Sequence, residues 1–116
     1  MSNNVRSRKL LEKNGWTVWK AERWNAFAKR REDGFGIFDL LCIHPDYRGV
    51  LGVQTTSKAN MASRAKKIRE SVSGQIWRTS ENRTEIHGWW KKSNRWQVKV
   101  LDPWTKQGIA DKKEHD

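Results

Sequence analysis

FGIFDLLCI, residues 35–43, is the most apolar stretch of the chain, and VLGVQTT, residues 50–56, returns from it after HPDYRG at 44–49. Pro45, Asp46 and Gly49 mark the connection as a turn, so the two segments read as a hairpin. Alternation puts Phe35, Ile37, Leu41 and Ile43 on one face of the first segment and Phe38, Leu40 and Cys42 on the other. A strand apolar on both faces is expected to be central and covered on both sides. One charge, Asp39, interrupts it. An ionised carboxylate in a covered strand must be paired, protonated or bound to a metal ion. With the turn centred near Asp46–Tyr47, Asp39 lies opposite Gln54, and Thr56 points the same way as Gln54 two residues on. The expectation is one oxygen-rich cluster of Asp39, Gln54 and Thr56. A hard cation such as Mg²⁺ binds through one or two carboxylates together with amide oxygens, waters and substrate phosphates. A structural hydrogen bond or salt bridge at Asp39 is the competing reading.

Working outward, residues 4–14 suit a short helix stopped by Asn14-Gly15, and residues 16–22 suit a first strand. Residues 23–34, with the basic run Lys29-Arg30-Arg31, read as a loop or a twisted strand extension. Thr56 or Ser57 can cap a helix over 58–71, in which Met61, Ala65, Ile68 and Val72 form a narrow apolar stripe. Its remaining surface is cationic, and Gly74 is a candidate break. Residues 84–90 and 96–101 form a second hairpin around 91–95. The order is α-β-β-β-α-β-β, an α+β domain over residues 1–104 with helices against a mixed β-sheet, followed by a polar tail at 105–116.

Composition narrows the function. The 116 residues are too few for two independent cores, and they carry 24 Lys+Arg against 13 Asp+Glu, a formal net charge of +11. A polyanionic partner is the usual reason for a small domain to tolerate that self-repulsion. Eight tryptophans supply core volume that the thin aliphatic content does not, and exposed indoles can stack on unpaired bases. No stretch is long and apolar enough to span a bilayer. The first residues lack the apolar core of a signal peptide, and the single cysteine, Cys42, has no internal partner, so a cytoplasmic setting is expected. His44, His87 and His115 are isolated and show no zinc-ligand spacing. There is no nucleophile elbow or phosphate loop, and no organic cofactor is implied.

The succession of helix, hairpin bearing Asp39, returning strand VLGVQTTSK and basic helix resembles the PD-(D/E)xK nuclease superfamily. More narrowly, it is similar to small phage and prokaryotic members related to Holliday-junction resolvases. The residues that carry the likeness are GWTVW (15–19), REDGFGIFDLL (31–41), LGVQTTSKAN (51–60), SRAKKIRE (63–70) and HGWWKK (87–92), spread over most of 5–101. The resemblance implies a restriction-endonuclease-like core and a Mg²⁺- or Mn²⁺-dependent DNA endonuclease, selective for branched or junction structures. By position Asp39 is the metal-bridging aspartate, Gln54 stands where the second acid belongs, and Thr56 stands where the lysine belongs. Both departures matter: an amide is a weaker ligand than a carboxylate, and threonine brings no positive charge. Lys58 or Lys67 could supply the charge, and Glu22, Asp33 or Glu12 a further carboxylate. Lys58, Arg64 and Lys67 on the helix and Lys91, Lys92 and Arg95 in the second hairpin are the expected phosphate contacts. The resemblance also makes a homodimer plausible. The alternatives are a nuclease-like protein that only binds nucleic acid, and a basic interaction protein that is not an enzyme.

Overall fold

The structure is a computed structural model that describes residues 1–105, so all but the first residue of the expected polar tail lie outside it. In chain order the elements are α1 (Asn3–Lys13), β1 (Thr17–Lys20), β2 (Arg23–Asn25), β3 (Arg30–Glu32), β4 (Leu40–Ile43), β5 (Leu51–Ser57), α2 (Met61–Glu70), α3 (Val72–Thr79), β6 (Arg83–Lys92) and β7 (Arg95–Leu101). A single 3₁₀ turn, Lys58–Asn60, leads into α2. Five strands form one mixed sheet in the order β1-β4-β5-β6-β7, and β2 pairs with β3 in a separate ribbon. β1, β4 and β5 run antiparallel; α2 and α3 carry the chain across to β6, which lies parallel to β5, and β7 returns antiparallel.

The sheet separates two apolar layers. On one side Leu11 of α1 packs with Leu40, Cys42, Leu51 and Val53, closed at the edge by Trp16 and Val18. On the other, Met61, Ala65 and Ile68 of α2 pack on Ile37, Phe38, Ile86 and Leu101. The stripe read from the sequence is therefore the buried face of α2, and full burial of Met61 and Ile68 contributes roughly 1.5–3 kcal/mol each. Val72, placed in the same stripe, is 73% exposed. The helix stops at Ser71, which is extended (ψ 141°) and whose hydroxyl accepts from Gly74 N–H to start α3. Gly74 is thus inside the second helix and does not break the first. A side chain there would strike the Ile68 carbonyl, its Cβ only 2.3 Å away.

The α+β architecture, with helices on a mixed sheet, agrees with the expectation, but the order is α-β-β-β-β-β-α-α-β-β rather than α-β-β-β-α-β-β, and local details differ. Residues 23–34 form the β2–β3 ribbon, stabilised at its turn by Asn25, whose side chain accepts from the Phe27 and Ala28 N–H groups. The strand expected over 35–43 begins only at Leu40, because Phe35 and Gly36 have positive φ (55° and 77°) in a tight turn closed by a Gly34–Phe38 bridge. β4 is also less covered than its composition suggested, with Ile43 55% exposed near the end of the sheet.

Candidate metal centre and its cationic surroundings

The β4–β5 register follows the turn-centred count: Leu40 pairs with Val53, Leu41 with Gly52 and Cys42 with Leu51, which carried on by one residue sets Asp39 against Gln54. The side chains nevertheless diverge. Gln54 alternates with Val53 and pairs with Ile86, so it faces α2, where it is buried and neither amide atom has a hydrogen-bond partner among the described residues. Thr56 faces the same way, paired with Gly88 beneath Met61. The Asp39 carboxylate lies on the α1 side, accepting from the Thr55 backbone N–H at 2.8 Å and from the Thr55 hydroxyl at 3.3 Å. The expected cluster of Asp39, Gln54 and Thr56 is therefore not formed.

The reason is steric. Gly52 leaves a hollow on the α2 side that the Phe38 ring fills; a Cβ at Gly52 would sit 2.6 Å from it. Phe38 thus takes the face that strict alternation assigns to its neighbour, and Asp39 turns to the other. The backbone records the irregularity as a bulge: the Asp39 carbonyl accepts from both Ala21 N–H (2.9 Å) and Glu22 N–H (3.3 Å). One displaced residue exchanges faces.

The swap puts Asp39 beside Glu22 and Asp33. Ligand oxygens of these three carboxylates lie within 4.8 Å of one another. Glu22 follows β1, and Asp33 follows β3, so the β2–β3 ribbon is what brings them together. Glu22 is held by the Arg31 guanidinium and by Asn4 Nδ2 at 2.6 Å; the Arg31 hydrogen bond, ahead of the opposing effect of burial, lowers its pKa. Asp39 behaves oppositely. Burial pushes its pKa up from 3.8 to about 7, the Thr55 N–H opposes that, and the charges of Asp33 and Glu22 add to it. Near neutral pH the group is short of positive charge although the protein as a whole is strongly cationic.

Glu22 and Asp39 open into a cavity of about 470 Å³ walled by Ser2, Asn4, Arg8, Lys20, Arg31 and Thr55, while Asp33 lines the recess next to it. The donor set suits a hard divalent cation. Its oxygens are all carboxylate, and a bound dication would favour the ionised form of Asp39 against the burial, and the smaller repulsion from Asp33 and Glu22, that keep a proton on it. Gln54, expected among the ligands, is not in this wall. The catalytic lysine suggested at Lys58 is elsewhere, its Nζ 4.3 Å above the Trp90 ring. Lys67 lies in a neighbouring recess with Arg30, Arg31 and Asp33. Glu12 is on the distal part of α1, paired with Arg8 at 3.5 Å. Lys91, Lys92 and Arg95 flank the β6–β7 turn at Ser93-Asn94 as exposed cations, and Arg64 is half-buried on α2. Thr55, Lys20, Arg31 and Asn4 were not singled out from the sequence. The basic run containing Arg31 was the one available hint, and its place in a ribbon was not legible.

A second constellation resembles a nucleophile relay and is not one. Trp89 Nε1–H donates to Ser7 Oγ at 2.8 Å, His87 Nδ1 lies 2.9 Å from the same oxygen, and His87 Nε2 lies 3.0 Å from Glu85 Oε1. Ser7 is 0% exposed and His87 1%. A substrate has no access to that hydroxyl, so the chain serves to fasten α1 to β6.

No family model matches the chain, and no curated protein or solved structure is significantly similar to it. Among the described residues no helix is long and apolar enough to cross a membrane.

Proposed function

We propose that the chain is a metal-dependent DNA endonuclease whose cation is held by Glu22, Asp33 and Asp39. The observation that carries the reading is the convergence of three carboxylates within 4.8 Å of one another, two of them on a cavity also walled by Arg8, Lys20 and Arg31, in a protein of net charge +11. The path from α1 through the β1-β4-β5 meander, across α2 and α3 to the parallel β6, supports a restriction-endonuclease-like core.

A bound Mg²⁺ or Mn²⁺ would supply water activation and charge neutralisation at phosphorus. The chain's own residues do the rest. Arg31, anchored on Glu22, and Lys20 and Arg8 in the same wall present positive charge to phosphate oxygens. Lys20 takes the part that Thr56 cannot. The first turn of α1, which carries no acid, adds the positive end of its helix dipole beside the cavity.

A second reading, a nuclease-like protein that binds DNA without cutting it, is favoured by one observation: Gln54 and Thr56 face away from Asp39. Supercoiled plasmid and branched DNA incubated with and without Mg²⁺ or Mn²⁺ separate the two, with Asp39→Asn and Glu22→Gln alongside. Metal-dependent cuts lost in both variants support the enzyme. Binding without cuts supports the second reading, and no DNA affinity removes both.

A further inference from the structure

Beside the carboxylate cavity lies a cleft of about 590 Å³ whose lining is mostly apolar and includes Trp89, Trp90 and Trp96. It forms where β5 ends and the chain turns away at Lys58, leaving β6 and β7 to project beyond it. Every charged group placed at these rings is a cation: Lys58 Nζ is 4.3 Å from the centre of Trp90, and Arg6 Cζ and Lys91 Nζ are 3.4 and 5.9 Å from that of Trp96. No acidic side chain among the described residues lines the cleft. Trp96 is 44% exposed, whereas Trp89 is held in place by its hydrogen bond to Ser7. Flat rings framed by cations suit a ligand with aromatic faces and a polyanionic backbone.

The cleft is continuous with the proposed active site. Asn3, in the first turn of α1, lines both the cleft and the carboxylate cavity. Arg31 in turn lines both the carboxylate cavity and the recess with Arg30 and Lys67. The three recesses therefore adjoin in the sequence aromatic and cationic, carboxylate, and a third in which Arg30, Arg31 and Lys67 stand with Glu32 and Asp33. A duplex hides the faces of its bases inside the stack, so indoles in a cleft can engage only unpaired ones.

We infer that the Trp89–Trp90–Trp96 cleft takes the bases of a single-stranded DNA arm whose backbone continues past the carboxylates. The preferred substrate is then DNA that carries an unpaired flap or branch. This inference rests on the proposed function, since that reading puts DNA at the carboxylates.

Binding measured by fluorescence polarisation tests it, with a fluorescein-labelled blunt duplex, the same duplex bearing a single-stranded DNA arm, and one bearing an RNA arm. Mg²⁺ is omitted so that cutting plays no part. Stacking of one base on an indole predicts that the DNA arm tightens binding about tenfold or more, and that Trp96→Ala removes most of that gain while affinity for the blunt duplex is kept. Lys58→Ala, on the exposed 3₁₀ turn, should lower the arm's gain severalfold, and it carries the test if Trp96→Ala fails to fold. A 2-aminopurine base in the arm should lose fluorescence on binding the wild type and recover it with Trp96→Ala. Equal affinity for blunt and armed duplexes, or an arm whose 2-aminopurine stays bright, overturns the inference and leaves DNA binding standing. Tighter binding of the RNA arm overturns the assignment to DNA. Failure to bind any duplex refutes the underlying function instead.

Discussion

Asp39→Asn replaces a carboxylate by an amide of the same shape, and the site is built so that the exchange has a calculable effect on stability. The amide oxygen can still accept from the Thr55 N–H, and the new NH₂ finds the Glu22 and Asp33 carboxylates close by. In the native wild type the Asp39 pKa rises from 3.8 to about 7, chiefly through burial. Between those two values the unfolded chain has released its proton while the folded one keeps it, so native stability falls as pH rises from about 4 and the loss is complete above about 7. Three pH units at 1.36 kcal/mol each amount to about 4 kcal/mol. The variant lacks this burden. At pH 8, without divalent ions, Asp39→Asn should therefore be more stable than wild type by up to about 4 kcal/mol, or about 15 °C in Tm for a domain of this size. At pH 4 the two should coincide within about 0.5 kcal/mol. Urea unfolding followed by circular dichroism across pH 4–8 measures the difference, and taking the difference removes other groups common to both proteins. Adding Mn²⁺ at pH 8 should narrow the gap: one hundred times its Kd stabilises the wild type by about 2.7 kcal/mol, and the variant much less. A variant less stable than wild type at pH 8 without metal, or a difference that does not change with pH, would refute the account of Asp39 as a buried group crowded by like charges.

Three further substitutions probe the frame of the site. Gly52→Ala drives a Cβ into the Phe38 ring, so it should cost about 1–3 kcal/mol by overpacking and weaken Mn²⁺ binding by calorimetry, because Phe38 and Asp39 move together; unchanged stability would contradict the steric cause given for the face swap. Gln54→Leu removes a buried amide whose two polar atoms lack partners among the described residues, and should raise stability by about 1–3 kcal/mol in urea unfolding. A loss of that size would mean that the amide is satisfied. Ser7→Ala takes away the shared oxygen between His87 and Trp89 and should cost about 1–3 kcal/mol without changing cleavage by folded protein; a large fall in turnover with stability intact would restore a catalytic part to that relay.

The sequence was enough to set the β4–β5 register, in which Leu40 pairs with Val53. Turn residues at 44–49 set the length of the connection, and the count across a hairpin then follows from strand geometry. The apolar face of α2 was equally legible, because Met61, Ala65 and Ile68 recur at helical spacing and bury together. The boundary at Ser71 was not, since it depends on a hydroxyl capping the next helix.

What the residue pattern did not disclose is which face Asp39 uses. That depends on the volume missing at Gly52 and on the ring of Phe38 filling it from the turn just before β4. Nor did spacing along the chain single out Glu22 and Asp33 from other carboxylates. Seventeen and six residues before Asp39, they reach it only through the β2–β3 ribbon. Local periodicity encodes strands, helices and the register between adjacent strands, because those follow from backbone geometry. The composition of the site is decided by side-chain volumes on opposing strands and by loop closure, and both exist only once the sheet has formed.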